Sequence, residues 1–120
     1  MKKYLYILLL FNLGALAGED ELNNSLHKIV NFHFVSEQMA SSGMLDLKQY
    51  QHVKDYGFKH VINLIPGNQI KERKQVQSLG LSYEQIAVDW NHPTAKNFTD
   101  FAQLIKSYGD EKIYIHCEMN

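Results

Sequence analysis

Cysteine is almost missing from this 120-residue chain: Cys117 stands alone, so no intrachain disulfide can form and no set of thiolates exists to hold a structural zinc ion. Proline is scarce at two residues and glycine stands at seven, which excludes collagen-like and proline-rich low-complexity chains. Neither sign of charge dominates. The formal net charge is −1, from 12 Lys and Arg against 13 Asp and Glu, so no basic patch for a nucleic-acid backbone is advertised and no nucleic-acid partner is expected. His27, His33, His52, His60 and His92 show neither the spacing of a helical metal site nor a neighbouring cysteine pair; no metal and no cofactor is expected. What is present is a globular composition, 45% hydrophobic, 12% aromatic and 21% charged, with room for a single domain.

The apolar run of greatest length lies at the start. Lys2 and Lys3 precede an apolar stretch from Tyr4 through Leu13, and small residues follow in Ala15-Leu16-Ala17. Cationic start, apolar middle and small-residue site together make residues 1–17 a secretory signal peptide, cleaved after Ala17; the run is short for a membrane span of about 20 residues. Export to the periplasm or the exterior is expected, with no membrane span remaining after cleavage. Oxidising compartments tend to pair or oxidise cysteines, so a lone thiol in an exported chain calls for a reason.

Residues 18–25 are acidic and polar and read as a flexible mature N-terminus, with the folded domain over residues 26–120. Alternation through Ile29-Val30-Asn31-Phe32-His33-Phe34-Val35 predicts a first strand, and Ser41-Ser42-Gly43 predicts a turn or loop. Asp46 caps a predicted helix that carries Leu47, Tyr50 and Val53 on one face and stops near Gly57. His60 to Ile65 is a buried-type strand closed by Pro66-Gly67, and Gln69 to Leu79 is an exposed helix ended by Gly80. Tyr83 to Val88 is a third strand. Thr94 starts the clearest helix, with Phe98, Phe101, Ala102 and Ile105 at i, i+3, i+4 and i+7, ended by Gly109. Lys112-Ile113-Tyr114-Ile115-His116 is a last buried strand that delivers Cys117 at its carboxyl end. This alternation predicts an α/β fold with a parallel-type central sheet flanked by helices, and ligands in such sheets sit beyond the carboxyl ends of the strands.

Cys117 is placed for nucleophilic work, because the loop after a strand can turn backbone N–H groups toward an anion; a small buried side chain is the other reading of the same position. His116 either favours the thiolate from the loop or is a satisfied strand-end histidine. Asp89 follows the third strand and is either a proton donor at the same rim or a solvated loop aspartate. Trp90 walls a candidate pocket or fills the core edge. The cluster from Lys71 to Lys74 reads as a solvated helix face.

Val61-Ile62-Asn63-Leu64, Ile86-Ala87-Val88-Asp89-Trp90, the Pro93-Thr94 helix start and Ile113-Tyr114-Ile115-His116-Cys117-Glu118-Met119-Asn120 together resemble the cysteine-dependent protein tyrosine and dual-specificity phosphatase superfamily, from about Phe34 to the last residue. More narrowly the chain is similar to the small bacterial branch whose domain is also found fused to NAD kinase-like or β-lactamase-like partners, with Ser41-Ser42-Gly43 similar to that branch's early Ser-Gly segment. The resemblance implies a phosphorylated substrate and a phosphate loop of His-Cys, five residues, then Arg. Cys117 would be the nucleophile that forms a phosphocysteine and Asp89 the general acid. His116, Cys117, Glu118, Met119 and Asn120 would be the first loop positions, with Ser42, Gly43 and Trp90 as candidate pocket residues. Asn120 stands where many members carry glycine, and asparagine tolerates the left-handed backbone such a position takes. The 120 residues end before that arginine, so a C-terminally incomplete domain, lacking its C-terminal helices and inactive alone, is expected. A rhodanese-like sulfur transferase, with a persulfide on Cys117, and a non-catalytic anion-binding remnant are the alternatives.

Overall fold

The computed structural model describes residues 18–120; the expected leader lies outside the described residues. Residues 18–26 form helix α1, where the sequence reading expects a flexible lead-in, and Leu26 at its end is fully buried. There follow β1 (His33–Phe34), β2 (Met39–Ser42), α2 (Leu47–Tyr56), β3 (Phe58–Asn63), α3 (Ile70–Ser78), β4 (Ser82–Gln85), α4 (Ala95–Ser107) and β5 (Lys112–His116). The strands lie in the order β1-β2-β5-β3-β4, so the last strand in sequence is the middle one in space. It pairs parallel with β2 on one side and β3 on the other, and β4 pairs parallel with β3. The sheet is nevertheless mixed, because β1 joins the edge antiparallel to β2.

Side-chain alternation along the inner strands divides the core between two faces. Val61 of β3 and Tyr114 of β5 turn toward α2 and α3, where they meet Tyr50, Val53, Val76 and Tyr83. Their neighbours Ile62, Ile113 and Ile115 turn the other way, against Phe101, Leu104, Ile105 and Tyr108, which α4 and its end supply. A strand covered on both faces must be apolar at successive positions, and that is the pattern of β5. Phe58 and Val61 share one face at a spacing of three; a register shift between Phe58 and His60 against β5 absorbs the extra residue.

Helix starts follow their predicted chemistry. Asp46 accepts from Gln49 N while Gln49 returns a bond to the Asp46 N–H, and Thr94 and Asn97 repeat this reciprocal cap on α4. Gly57 ends α2 at φ 114, a left-handed conformation that glycine adopts without a Cβ penalty.

Three further expectations give way. The predicted strand over Ile29–Val35 is mostly turn, with bonds from Ile29 N to Leu26 O and from Phe32 N to Ile29 O, and only His33–Phe34 pairs. Ile29 and Phe32 are the buried positions, three apart, so burial there has the spacing of a turn rather than of a strand. Conversely Ser41 and Ser42, expected in a turn, lie in β2 opposite Ile115 and His116. Small hydroxyl residues favour turns locally, but pairing with the central strand overrides that preference. Phe98 and Ala102, expected on the apolar stripe of α4, are exposed, while Phe101 and Ile105 pack inward. No helix among the described residues is long and apolar enough to cross a membrane.

Candidate active site

The carboxyl end of β5 opens into a short loop that is tied down from beneath. Cys117 donates its N–H to Ser42 O at 3.3 Å, and the carbonyl of His116 accepts from Leu64 N at 2.9 Å, so both flanking strands grip the chain where the sulfur emerges. Met44 N donates to Glu118 O at 3.2 Å, and Asn31 Nδ2 donates to Met119 O at 2.6 Å. Asn120 has φ 74, and its side-chain amide donates to Asn31 O at 2.8 Å and to Ser41 Oγ at 3.1 Å. Those bonds fix the chain reversal that brings Asn120 N to 2.7 Å from Cys117 Sγ. The carbonyls of the loop are thus turned into the protein. The N–H groups of Glu118 and Met119 have no hydrogen-bond partner among the described residues and remain available to an anion.

Cys117 is a free cysteine only 8% exposed. It lines a cleft of about 280 Å³ together with Trp90, Glu118, Met119 and Asn120. A hydrogen bond donated to sulfur stabilises the thiolate, the form that attacks. None of these lining side chains carries a positive charge.

The predicted site residues separate into three groups. His116, Cys117, Glu118, Met119 and Asn120 are contiguous, and Trp90 reaches them across the cleft. Ser42 and Gly43 lie against the loop backbone: Ser42 Oγ accepts from Tyr114 Oη at 2.7 Å and donates to Gly43 O at 2.8 Å. Asp89 stands beside Trp90 but is not among the residues that line the cleft; its carboxylate accepts from Asn91 N at 3.0 Å and lies 3.5 Å from His92 Nδ1. The segment that carries it is held to the end of β3 by bonds from Ile86 N to Asn63 O and from Val88 N to Leu64 O.

Behind the nucleophile lies a buried polar cluster centred on Glu72, which the sequence reading assigned to a solvated face. Its carboxylate accepts from Tyr50 Oη at 2.7 Å, Tyr83 Oη at 2.5 Å and Asn63 Nδ2 at 2.7 Å. The Nε2 of fully buried His116 lies 3.2 Å from the same carboxylate, and the other ring nitrogen faces Cys117 O at 3.2 Å. Burial pushes the Glu72 carboxyl up, but the hydrogen bond and charge of His116, with the bonds from Tyr83 and Tyr50, outweigh it and hold the group below 4.5. Burial, reinforced by the Glu72 anion, pushes the Tyr50 and Tyr83 phenols well above their ordinary range, so both remain donors. The overlooked signal was position: Glu72, Val76 and Leu79 share one helix face at i, i+4 and i+7, and that face is the apolar one.

No protein-family model matches the chain, and no curated protein matches it in sequence. Solved structures do match. A candidate phosphatase (DUF442) from Shewanella putrefaciens CN-32 is 28% identical with a TM-score of 0.76, over 81% of this chain and 67% of its own. The core catalytic domain of the PP-IP phosphatase SIW14 from S. cerevisiae is 18% identical with a TM-score of 0.64, over 76% of this chain and 58% of its own. TpbA from P. aeruginosa, solved in complex with pTyr, is 12% identical with a TM-score of 0.62, over 74% of this chain and 54% of its own. At those identities the last two bear on the fold alone, and this chain spans less than two thirds of either.

Proposed function

From the premise that the chain has the fold of the cysteine-dependent protein tyrosine and dual-specificity phosphatases, we propose that it serves phosphomonoester hydrolysis through a phosphocysteine on Cys117. The observation that carries this reading is the loop after β5, where Asn120 N donates to Cys117 Sγ at 2.7 Å and the N–H groups of Glu118 and Met119 have no partner among the described residues. In the first step the thiolate attacks phosphorus and the bond to the leaving oxygen breaks. The electron pair stays on that oxygen, which takes a proton from Asp89. Water then attacks phosphorus, gives a proton back to Asp89, and the S–P bond breaks to restore the thiolate.

Asp89 is not among the residues that line the cleft, and its carboxylate is engaged by Asn91 N and His92; catalytic hydrogen bonds commonly align only when substrate is bound. The phosphate dianion also needs a cation, since N–H donors alone leave much of its charge unmet. The family pattern supplies it as an arginine three residues past Asn120.

The test is phosphate release from p-nitrophenyl phosphate by residues 18–120 carrying that arginine in a downstream segment, compared with the 120 residues alone. Cys117→Ser should abolish release, and Asp89→Asn should lower it about 10²-fold, with the greatest loss at lower pH, where the parent's Asp89 still carries the proton it donates. Full activity in Cys117→Ser would sink the phosphocysteine. A stable persulfide on Cys117 without phosphate release would move the reading to sulfur transfer, and neither activity would leave anion binding.

A further inference from the structure

The Glu72 cluster has a direction. Four elements converge on one carboxylate: Tyr50 from α2, Asn63 from β3, Tyr83 from β4 and His116 from β5, while Arg73, its neighbour on α3, lies over the Tyr83 ring at 5.1 Å and donates to Tyr83 O. The Glu72 side chain is only 15% exposed and His116 not at all. An anion in such a place is costly unless its hydrogen bonds are filled. A core-facing glutamine or methionine would pack in the same volume without that cost, so the charge itself needs an explanation.

His116 supplies one. Its two ring nitrogens face the Glu72 carboxylate and the Cys117 carbonyl, and both of those are acceptors. A ring that satisfies both carries a proton on each nitrogen and hence a positive charge. The carboxylate holds that charge in place from behind, and the imidazolium delivers it to the backbone of the nucleophile, next to the sulfur.

We propose that Glu72 is a positioning residue for the nucleophile, acting through His116 to keep Cys117 ionised near neutral pH. The inference rests on Cys117 working as a thiolate. It assigns a task to the one carboxylate of α3 that turns inward, and to Tyr50 and Tyr83 as the donors that make the buried anion tolerable.

The experiment follows the sulfur rather than turnover. Cys117 is the sole cysteine of the chain, so the rate of alkylation by iodoacetamide reports on it alone. In Glu72→Gln the rate at about pH 6 should fall roughly tenfold, while the rate at about pH 9, where most thiols are ionised, should change little. His116→Asn should give the same loss, and Glu72→Gln added to it should change nothing further. Tyr83→Phe should move the other way, to at least the wild-type rate at pH 6, because the oxygen it shares with His116 is relieved of a competing donor. A loosened fold would shift all variants together and at both pH values. An unchanged ratio of the two rates in folded Glu72→Gln overturns the proposal. If that variant does not fold, an unchanged ratio in His116→Asn, or a fall in Tyr83→Phe, overturns it equally. Absence of phosphate release in the assay above, with this alkylation pattern intact, would defeat the phosphatase reading and leave the Glu72–His116–Cys117 coupling standing.

Discussion

A β-carbon built at Gly43 would lie 2.7 Å from Val30 Cγ1, 3.1 Å from Glu118 O and 3.3 Å from Met119 C. The residue after β2 therefore has to be glycine for a reason of space, because the loop carrying the nucleophile passes directly over it. Gly43→Ala is expected to cost about 1–3 kcal/mol in urea unfolding, the usual range for overpacking, with backbone amide shifts concentrated at residues 118–120. A variant as stable as its parent would mean that Val30 and the loop yield freely. The sequence shows Ser42-Gly43 only as turn chemistry or as a family likeness; the contact with Glu118 and Met119 spans more than 70 positions and is invisible to either segment. Asn120 is different, since its tolerance of φ > 0 is a property of the residue itself, and it does adopt φ 74.

Among the elements, α2 and α3 are stabilised by opposite means. α2 starts with a reciprocal cap between Asp46 and Gln49 and ends at a left-handed Gly57. α3 has no side-chain cap at Gln69, and its inward anchors are Val76 and the Glu72 cluster. Asp46→Ala should thus cost about 1 kcal/mol, the loss of one N-cap bond, read as a lower urea midpoint at unchanged slope. An unaltered midpoint would show that packing of Tyr50 and Val53 holds α2 without its cap. Helices were legible in the sequence because capping and periodicity act over a few residues, as Thr94 and the i, i+4 pair Phe101 and Ile105 show. The first two strands were not. β1 is two residues long and β2 is half serine, so neither carries an alternation strong enough to announce itself.

For the whole molecule the buried ionisable groups set a pH window. Glu72 is held below its ordinary 4.5 in the folded state; its contribution to stability is present above that pH and is lost as pH falls through the folded value. Tyr50, Tyr83 and Tyr114 are pushed above their ordinary 10.0, chiefly by burial, so the stability they contribute is present below pH 10 and drains away above it as the unfolded phenols ionise. The melting temperature should form a plateau between these limits, with its acid shoulder flattened in Glu72→Gln and its alkaline shoulder weakened in Tyr114→Phe. An acid shoulder of equal depth in Glu72→Gln would place that titration elsewhere.

By itself the sequence determined the order of elements from α2 to β5, the caps of α2 and α4, and the emergence of Cys117 at the end of an apolar strand, because propensity, periodicity and capping are decided among near neighbours. Only the tertiary structure decided that β5 lies in the middle of the sheet, that residues 31, 41, 43 and 44 brace the loop after it, and that Glu72 turns inward to meet His116. Those outcomes depend on pairing and burial between segments distant in the chain. Their free energy belongs to both partners at once, so neither segment displays it alone.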